Sequence, residues 1–196
     1  PEESRYEDPD YAERAYRIFV EKMRTNATTR ACIFATAHVP ATLLLMEMLE
    51  KSGLITYVGK VSMDRNAPAP LCEESPAVAA AAVEKWLKTS LKKYKNTKPM
   101  LTPRFIPSCT DELLTFLGRF QKKYHVPVQS HLSENLSEIA WVRELCPYSS
   151  DYGEAYEHFG LFGGNAPTVM AHGVWPGKRE FARIKERGVY IAHCPQ

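Results

Sequence analysis

The stretch VQSHLSE at residues 128–134 carries the most information about the fold. It alternates in the manner of a β-strand, whose successive side chains point to opposite faces of a sheet, so Gln129 and His131 would share one face. His131 would then close the strand, and Glu134 would follow in the next loop. The stretch therefore predicts a strand that delivers an imidazole and a carboxylate to one end of a sheet.

Working outward from this stretch, short apolar runs predict further strands. Some are apolar on successive residues, as in ACIFA at 31–35, which is typical of strands that are covered on both faces. The strand candidates in chain order are Ala31–Thr36, Ile55–Ser62, Pro99–Arg104, Val126–His131, Thr168–His172 and Val189–His193.

Amphipathic stretches between these runs predict helices, because their apolar residues recur at helical spacing. Asn135 precedes Glu138 by three residues, as in a capping box, and Ser52-Gly53 is a helix-stop signal. The helix candidates are Pro9–Thr25, Ala41–Lys51, Pro76–Tyr94, Thr110–Tyr124, Asn135–Leu145 and Arg179–Arg187.

Alternating strands and helices predict an α/β fold with parallel βα units. The chain has neither a G-x-G-x-x-G fingerprint nor a phosphate-binding P-loop, which disfavours the nucleotide-binding open sheets. A (β/α)8 TIM-like barrel is the better interpretation. A complete barrel needs eight strands and roughly 250 residues, whereas this chain of 196 residues supplies about six strands.

Composition excludes several other classes. The 25 basic and 23 acidic residues give a net charge of +2, too small an excess for a nucleic-acid-binding protein. No apolar run is long enough to span a membrane. Five cysteines without a C-x-x-C pair argue against a disulfide framework and a cysteine-based zinc site, and reduced thiols fit a cytoplasmic protein. A lysine cluster is interpreted as the solvated face of one helix; its members are Lys85, Lys88, Lys92, Lys93 and Lys95.

Polar side chains close four of the predicted strands: Arg104, His131, His172 and His193. Functional residues of a barrel gather at the carboxyl ends of its strands. One histidine there is more often a hydrogen-bonded structural residue, but histidines at successive strand ends favour a metal site, since a neutral imidazole is a good zinc ligand.

Glu134 admits two interpretations. A carboxylate in a first helical turn is favoured by the helix dipole, whereas an unligated carboxylate beside a metal can transfer protons. His193 remains open between a metal ligand, a substrate contact and a structural residue. His38, His125 and His158 lie beside a strand or at helix ends and are expected to be structural.

The sequence also resembles a known family. The motifs are RACIFATAH at 30–38, VGKVSMDRNAP at 58–68, LTPRFIPSC at 101–109, VQSHLSEN at 128–135, VMAHG at 169–173 and IAHCP at 191–195. Together they resemble the guanine deaminase branch of the amidohydrolase superfamily of metal-dependent hydrolases. The resemblance runs through essentially the whole chain, in order.

This resemblance implies specific roles. His131 and His172 would bind one catalytic zinc ion at the ends of the fifth and sixth barrel strands, and Glu134 would transfer protons. Arg104 and Phe105 would hold the purine. The implied reaction is the hydrolysis of guanine to xanthine and ammonia in purine catabolism, by a homodimeric enzyme.

The chain departs from the family pattern in two places. It lacks the His-x-His pair of the first strand and the metal-binding aspartate of the eighth. Residues 1–196 are therefore expected to be the central part of a single catalytic barrel, about strands 2–7, without the first- and eighth-strand regions. Catalytic zinc usually takes about three protein ligands, so this segment alone is expected to be inactive.

Two alternatives stay open. The protein could be an amidohydrolase that deaminates a different aminated ring, such as a triazine or an adenine derivative. Replacing Arg104 would separate these cases, because that residue would set the preference for guanine. The missing ligands also fit a catalytically inactive relative that serves as a scaffold, which the metal content of the full-length protein would reveal.

Overall fold

Parallel strands alternate with helices in a computed structural model that describes residues 2–164 and 166–194. The strands are β1 (Arg30–Phe34), β2 (Ile55–Gly59), β3 (Val61–Ser62), β4 (Thr97–Pro99), β5 (Thr102–Pro103), β6 (Val128–Leu132), β7 (Thr168–His172) and β8 (Tyr190–Ala192). The helices are α1 (Pro9–Arg24), α2 (Val39–Ser52), α3 (Pro76–Lys93), α4 (Asp111–Tyr124), α5 (Leu136–Leu145), α6 (Tyr152–His158) and α7 (Lys178–Arg187). Two 3₁₀ helices span Glu2–Glu7 and Ile106–Ser108.

All strand pairs are parallel, in the orders β1-β2-β4, β3-β5 and β6-β7-β8. β2 and β3 are one strand position interrupted at Lys60, whose buried ammonium pairs with Glu73. β4 and β5 form the next position, and a parallel bridge from Leu101 to Val128 connects it to β6. The six predicted strand positions and the mixed α/β class are thus confirmed.

The sheet curves strongly enough to bring distant strands together. Nε2 of Gln129, on β6, donates to the carbonyl oxygen of Ile33 on β1 and to Oγ1 of Thr102 on β5, both at 2.9 Å. β1 and β6 are not neighbours in the sheet order, so this contact crosses the concave side. Gln129 and His131 share that side, as the alternation predicted.

Helices cover the other side of the strands. α1 begins where the carboxylate of Asp8 accepts from the backbone N–H of Asp10 and Tyr11, with Pro9 at the first helical position. Its stripe of Ala12, Tyr16, Val20 and Met23 is buried. Trp86 of α3 is fully buried in the same hydrophobic core.

All six predicted helices form, with ends shifted by at most two residues. Thr110 and Asn135 prove to be N-caps just outside their helices, with side chains that accept from Leu113 N and Glu138 N. Sequence reasoning missed α6 because it is only seven residues long. The signal for α6 was the three-residue spacing of Asp151 and Glu154. The Asp151 carboxylate accepts a hydrogen bond from the backbone N–H of Glu154.

All five cysteines are free. In the described part of the chain, none of the helices combines the length and apolar character that a membrane crossing requires.

Candidate active site

The carboxyl ends of β6 and β7 bring His131 and His172 together. In the parallel register His131 faces Ala171 and Leu132 faces His172. The two imidazole rings stack with their centroids 5.3 Å apart and their planes 17° apart. Neighbouring parallel strands therefore place both predicted metal ligands side by side.

His131 is oriented for ligation by a main-chain contact. Its Nδ1 lies 2.6 Å from the carbonyl oxygen of Arg104, and because a carbonyl only accepts, Nδ1 carries the proton. Nε2 is left with a lone pair, which a metal requires. Burial, beside the Phe34 ring at 4.8 Å, lowers the pKa of His131. His131 is thus held neutral, the form that ligates zinc.

His172 and Gly173 have an uncommon backbone conformation, with φ of 77° and 57°. A non-glycine residue with positive φ is strained, and such strain concentrates at functional sites. The turn directs His172 towards Glu134, whose Oε2 lies 3.7 Å from His172 Nε2. The Glu134 side chain is 47% exposed, so it is accessible to solvent and to a substrate.

The loop that carries Glu134 is fixed at Ser133, which also has a positive φ of 47°. The Ser133 carbonyl accepts from the N–H groups of Val174 and Trp175, at 3.2 and 3.0 Å. The Ser133 hydroxyl donates to the Glu180 carboxylate at 2.7 Å. The Ser133 carbonyl therefore connects the loop after β6 to the loop after β7, and the Ser133 hydroxyl connects the same loop to α7.

Glu180 anchors this arrangement from α7. It is 2% exposed and also accepts from the backbone N–H of Gly153 at 2.8 Å. Burial raises the pKa of Glu180. Sequence reasoning missed Glu180 and Ser133, since an acidic residue in a first helical turn is ordinarily a solvated one.

Arg104 follows β5, and its backbone N–H donates to the Ser62 carbonyl at 3.1 Å. Nη1 of its guanidinium lies 2.8 Å from Oε2 of Glu3 in the first 3₁₀ helix. The Phe105 ring points to α5, edge-on to Trp141 with centroids 6.0 Å apart. Arg104 therefore lies between a carboxylate and the histidine pair, with Phe105 on the flank next to it.

The remaining histidines lie outside this cluster of His131, His172, Glu134 and Arg104. His193 follows β8 and is exposed. His38 precedes α2, His125 is the left-handed C-cap of α4, and His158 ends α6.

Two imidazoles fit part of a zinc site, since zinc accepts histidine nitrogens. Across residues 2–164 and 166–194, no group of three or more histidine, cysteine, aspartate or glutamate side chains is arranged to hold a metal ion. The described residues therefore supply two candidate ligands, and the other ligands of a catalytic site would have to come from elsewhere.

Comparisons with known proteins agree with this geometry. The model of the Amidohydrolase family matches residues 2–196. Rat guanine deaminase is 39% identical over 196 residues, which is all of this chain and 43% of the rat protein. The crystal structure of guanine deaminase from C. acetobutylicum, with bound guanine in the active site, is 46% identical with a TM-score of 0.96 and covers 100% of this chain and 46% of that one.

The E. coli guanine deaminase structure has 34% identity and a TM-score of 0.92, covering 98% of this chain and 44% of its own. The chain thus spans less than half the length of the relatives it matches. From the family match over nearly all its residues, the chain belongs to the amidohydrolase family.

Proposed function

We propose that the protein carrying this chain is a zinc-dependent guanine deaminase, which hydrolyses guanine to xanthine and ammonia. The observation that supports this most is the likeness to a structure whose active site holds guanine. The pairing of His131 with His172, and the nearness of Glu134 to His172, suits hydrolysis by an amidohydrolase.

In this proposal the chain is the central part of one (β/α)8 barrel, about strands 2–7, and the other metal ligands lie outside it. His131 and His172 would hold the zinc, His131 through the Nε2 that its hydrogen bond to Arg104 leaves free. By itself the 196-residue segment is inactive, because it supplies two ligands where a catalytic zinc usually has about three.

When bound, zinc makes water a nucleophile near neutral pH. Glu134 accepts the proton of the attacking water and delivers it to a ring nitrogen or to the departing amine. Arg104 donates hydrogen bonds from its planar guanidinium to the purine carbonyl, and the Phe105 ring packs against the base. The Ser133 hydrogen bonds hold Glu134 in place during both transfers.

The test is an ultraviolet assay of guanine loss and xanthine gain by the full-length, zinc-loaded protein. We expect Glu134→Gln to lower kcat by roughly 10²–10⁴-fold, the usual contribution of a general acid–base residue, with unchanged zinc content. Glu144→Gln, on the exposed face of α5, is the matched control and should retain full activity. Guanine turnover by Glu134→Gln at the wild-type rate would refute the assigned role.

Substrate choice separates guanine from other aminated rings. Adenine, cytosine and a triazine serve as competing substrates, and Arg104→Ala should remove the preference for guanine. Turnover of another ring instead of guanine would mean that the protein belongs to a neighbouring branch of the family. A zinc-loaded protein that turns over none of these rings would support the inactive scaffold.

We further propose a homodimer located in the cytoplasm. Five free cysteines support a reducing compartment, and the homodimer rests on family resemblance. Sedimentation of the full-length protein and fractionation of cells would test the two statements.

A further inference from the structure

Glu3 is a carboxylate in the candidate site that the mechanism above does not use. It lies in the first 3₁₀ helix, 101 positions before Arg104 in sequence, yet its Oε2 accepts from Arg104 Nη1 at 2.8 Å. The Glu3 side chain is 24% exposed and that of Arg104 is 41% exposed. The pair therefore lies at the partly solvated mouth of the site.

Stability does not explain this ion pair. Partly exposed ion pairs contribute little to folding. In addition, the second oxygen of the carboxylate, Oε1, is buried and has no hydrogen-bond partner among the described residues. A buried acceptor without a donor costs free energy, so Glu3 is poorly suited to a purely structural role.

Nor does the 3₁₀ helix need Glu3 for its attachment. The Tyr6 ring packs against Tyr16 of α1 at 4.9 Å and edge-on against Tyr11 at 5.3 Å. These aromatic contacts fasten the 3₁₀ helix to the core. The Glu3 carboxylate is thereby presented to Arg104 from a fixed backbone.

The guanidinium of Arg104 has donors to spare. In the described part of the chain only Nη1 is engaged, by Glu3 and by the Met63 sulfur at 4.0 Å. An unrestrained arginine side chain has many rotamers, and one charge-assisted hydrogen bond to a fixed carboxylate selects among them. The remaining donors of the planar group then have a defined direction.

We propose that Glu3 is a positioning residue, which orients the Arg104 guanidinium for recognition of the purine carbonyl. The inference rests on the proposed function, because it assigns Glu3 to the binding step of that reaction. Glu3 acts through Arg104, so its removal weakens substrate binding and leaves proton transfer by Glu134 intact.

The experiment measures KM and kcat for guanine in the full-length, zinc-loaded protein. Glu3→Gln should raise KM about five- to tenfold, as expected for loss of one partly solvated charged hydrogen bond, with kcat changed less than about twofold. Glu3→Asp, with a shorter reach, should give a smaller rise. Glu2→Gln is the matched control, since Glu2 is an exposed neighbour in the same 3₁₀ helix that pairs with Arg5.

A second measurement separates positioning from a structural role. The double variant Glu3→Gln/Arg104→Ala should raise KM no further than Arg104→Ala alone, because coupled residues are not additive. The Tm of Glu3→Gln should equal that of Glu2→Gln. A lowered Tm with unchanged KM, or KM effects that multiply in the double variant, would overturn the inference.

The two proposals fail in different ways. If the unaltered protein does not turn over guanine, the proposed function fails. If the unaltered protein is active and both Glu3 variants keep its KM, only the role of Glu3 fails.

Discussion

Nδ1 of His131 donates a 2.6 Å hydrogen bond to the main-chain carbonyl of Arg104, not to any side chain of that residue. One residue thus serves two partners, with its backbone orienting a candidate metal ligand and its guanidinium reaching Glu3. The proposed metal side and the proposed substrate side of the site are joined at Arg104, yet through chemically separate groups.

Arg104→Ala is therefore expected to keep zinc in the full-length protein while weakening guanine binding. The carbonyl that orients His131 survives the substitution, and orienting partners of ligands govern metal affinity. Metal analysis of the purified variant should give the wild-type stoichiometry, whereas His131→Ala should lose most of its zinc. Loss of zinc from Arg104→Ala would mean that the side chain itself supports the metal.

Ser133→Ala tests the connection between the two loops. The substitution removes the hydroxyl that donates to Glu180 and leaves a buried carboxylate oxygen without that donor. Because Ser133 immediately precedes Glu134, we expect kcat to fall roughly 10–100-fold, with a smaller change in KM. Ser137→Ala is the matched control, since its hydroxyl bonds to the exposed Asn135 side chain. Equal kcat values for the two variants would contradict the role of Ser133.

Gly118→Ala tests the packing of α4 against the residue after α6. In an exposed helix this change stabilises by about 1 kcal/mol. Here the added Cβ would lie 1.9 Å from the Phe159 carbonyl oxygen, so we expect a destabilisation of roughly 1–3 kcal/mol from overpacking. Gly177→Ala, with open space around the new Cβ, should cost no more than about 1 kcal/mol, because Gly177 is the N-cap of α7 and alanine caps less well. Denaturant titration compares them, and a stabilised Gly118→Ala would contradict the close approach.

Glu50 predicts a dependence of stability on pH. Its carboxylate accepts from the backbone N–H groups of Lys95, Asn96 and Thr97, at 3.0, 2.9 and 2.8 Å. Partial burial acts to raise the pKa of Glu50, but these donors outweigh it and the pKa is lowered. The folded state therefore favours the ionised form. Its contribution is complete above the unfolded pKa and disappears as the pH falls through the folded pKa.

Glu50→Gln should thus have a lower unfolding free energy than the wild type near neutral pH. This difference should shrink as the pH falls below about 4.5. Glu144→Gln, at an exposed position of α5, is the control and should show no such trend. A Glu50→Gln difference that stays constant from pH 3 to 6 would exclude this linkage.

The strand positions and the histidine pair could be predicted from the sequence because their signals are local. The apolar run before His172 and the alternation before His131 each occupy five residues of strand. The assignment of metal roles to these two residues, and not to His193, came from family resemblance and stays a proposal.

The residues that hold the site in place could not be predicted from the sequence, because their partners are distant along the chain. Glu3 meets Arg104 across 101 positions, and Ser133 meets Glu180 across 47. No periodicity or cap signal relates such pairs. Positive φ at Ser133 was also unforeseeable, since serine does not favour that conformation.

The seam between β5 and β6 is closed largely by side chains of β6. Beside the bridge from Leu101 to Val128, the Gln129 side chain donates to Thr102, the Ser130 hydroxyl to the Pro103 carbonyl and His131 Nδ1 to the Arg104 carbonyl. Arg104 lies on one side of this seam and both stacked histidines lie on the other. The hydrogen bonds across the seam fix the spacing between the residue proposed to hold the base and the residues proposed to hold the metal. The geometry of the candidate site is therefore set by side chains of β6 that bond to the main chain at the end of β5, and not by an extended backbone ladder.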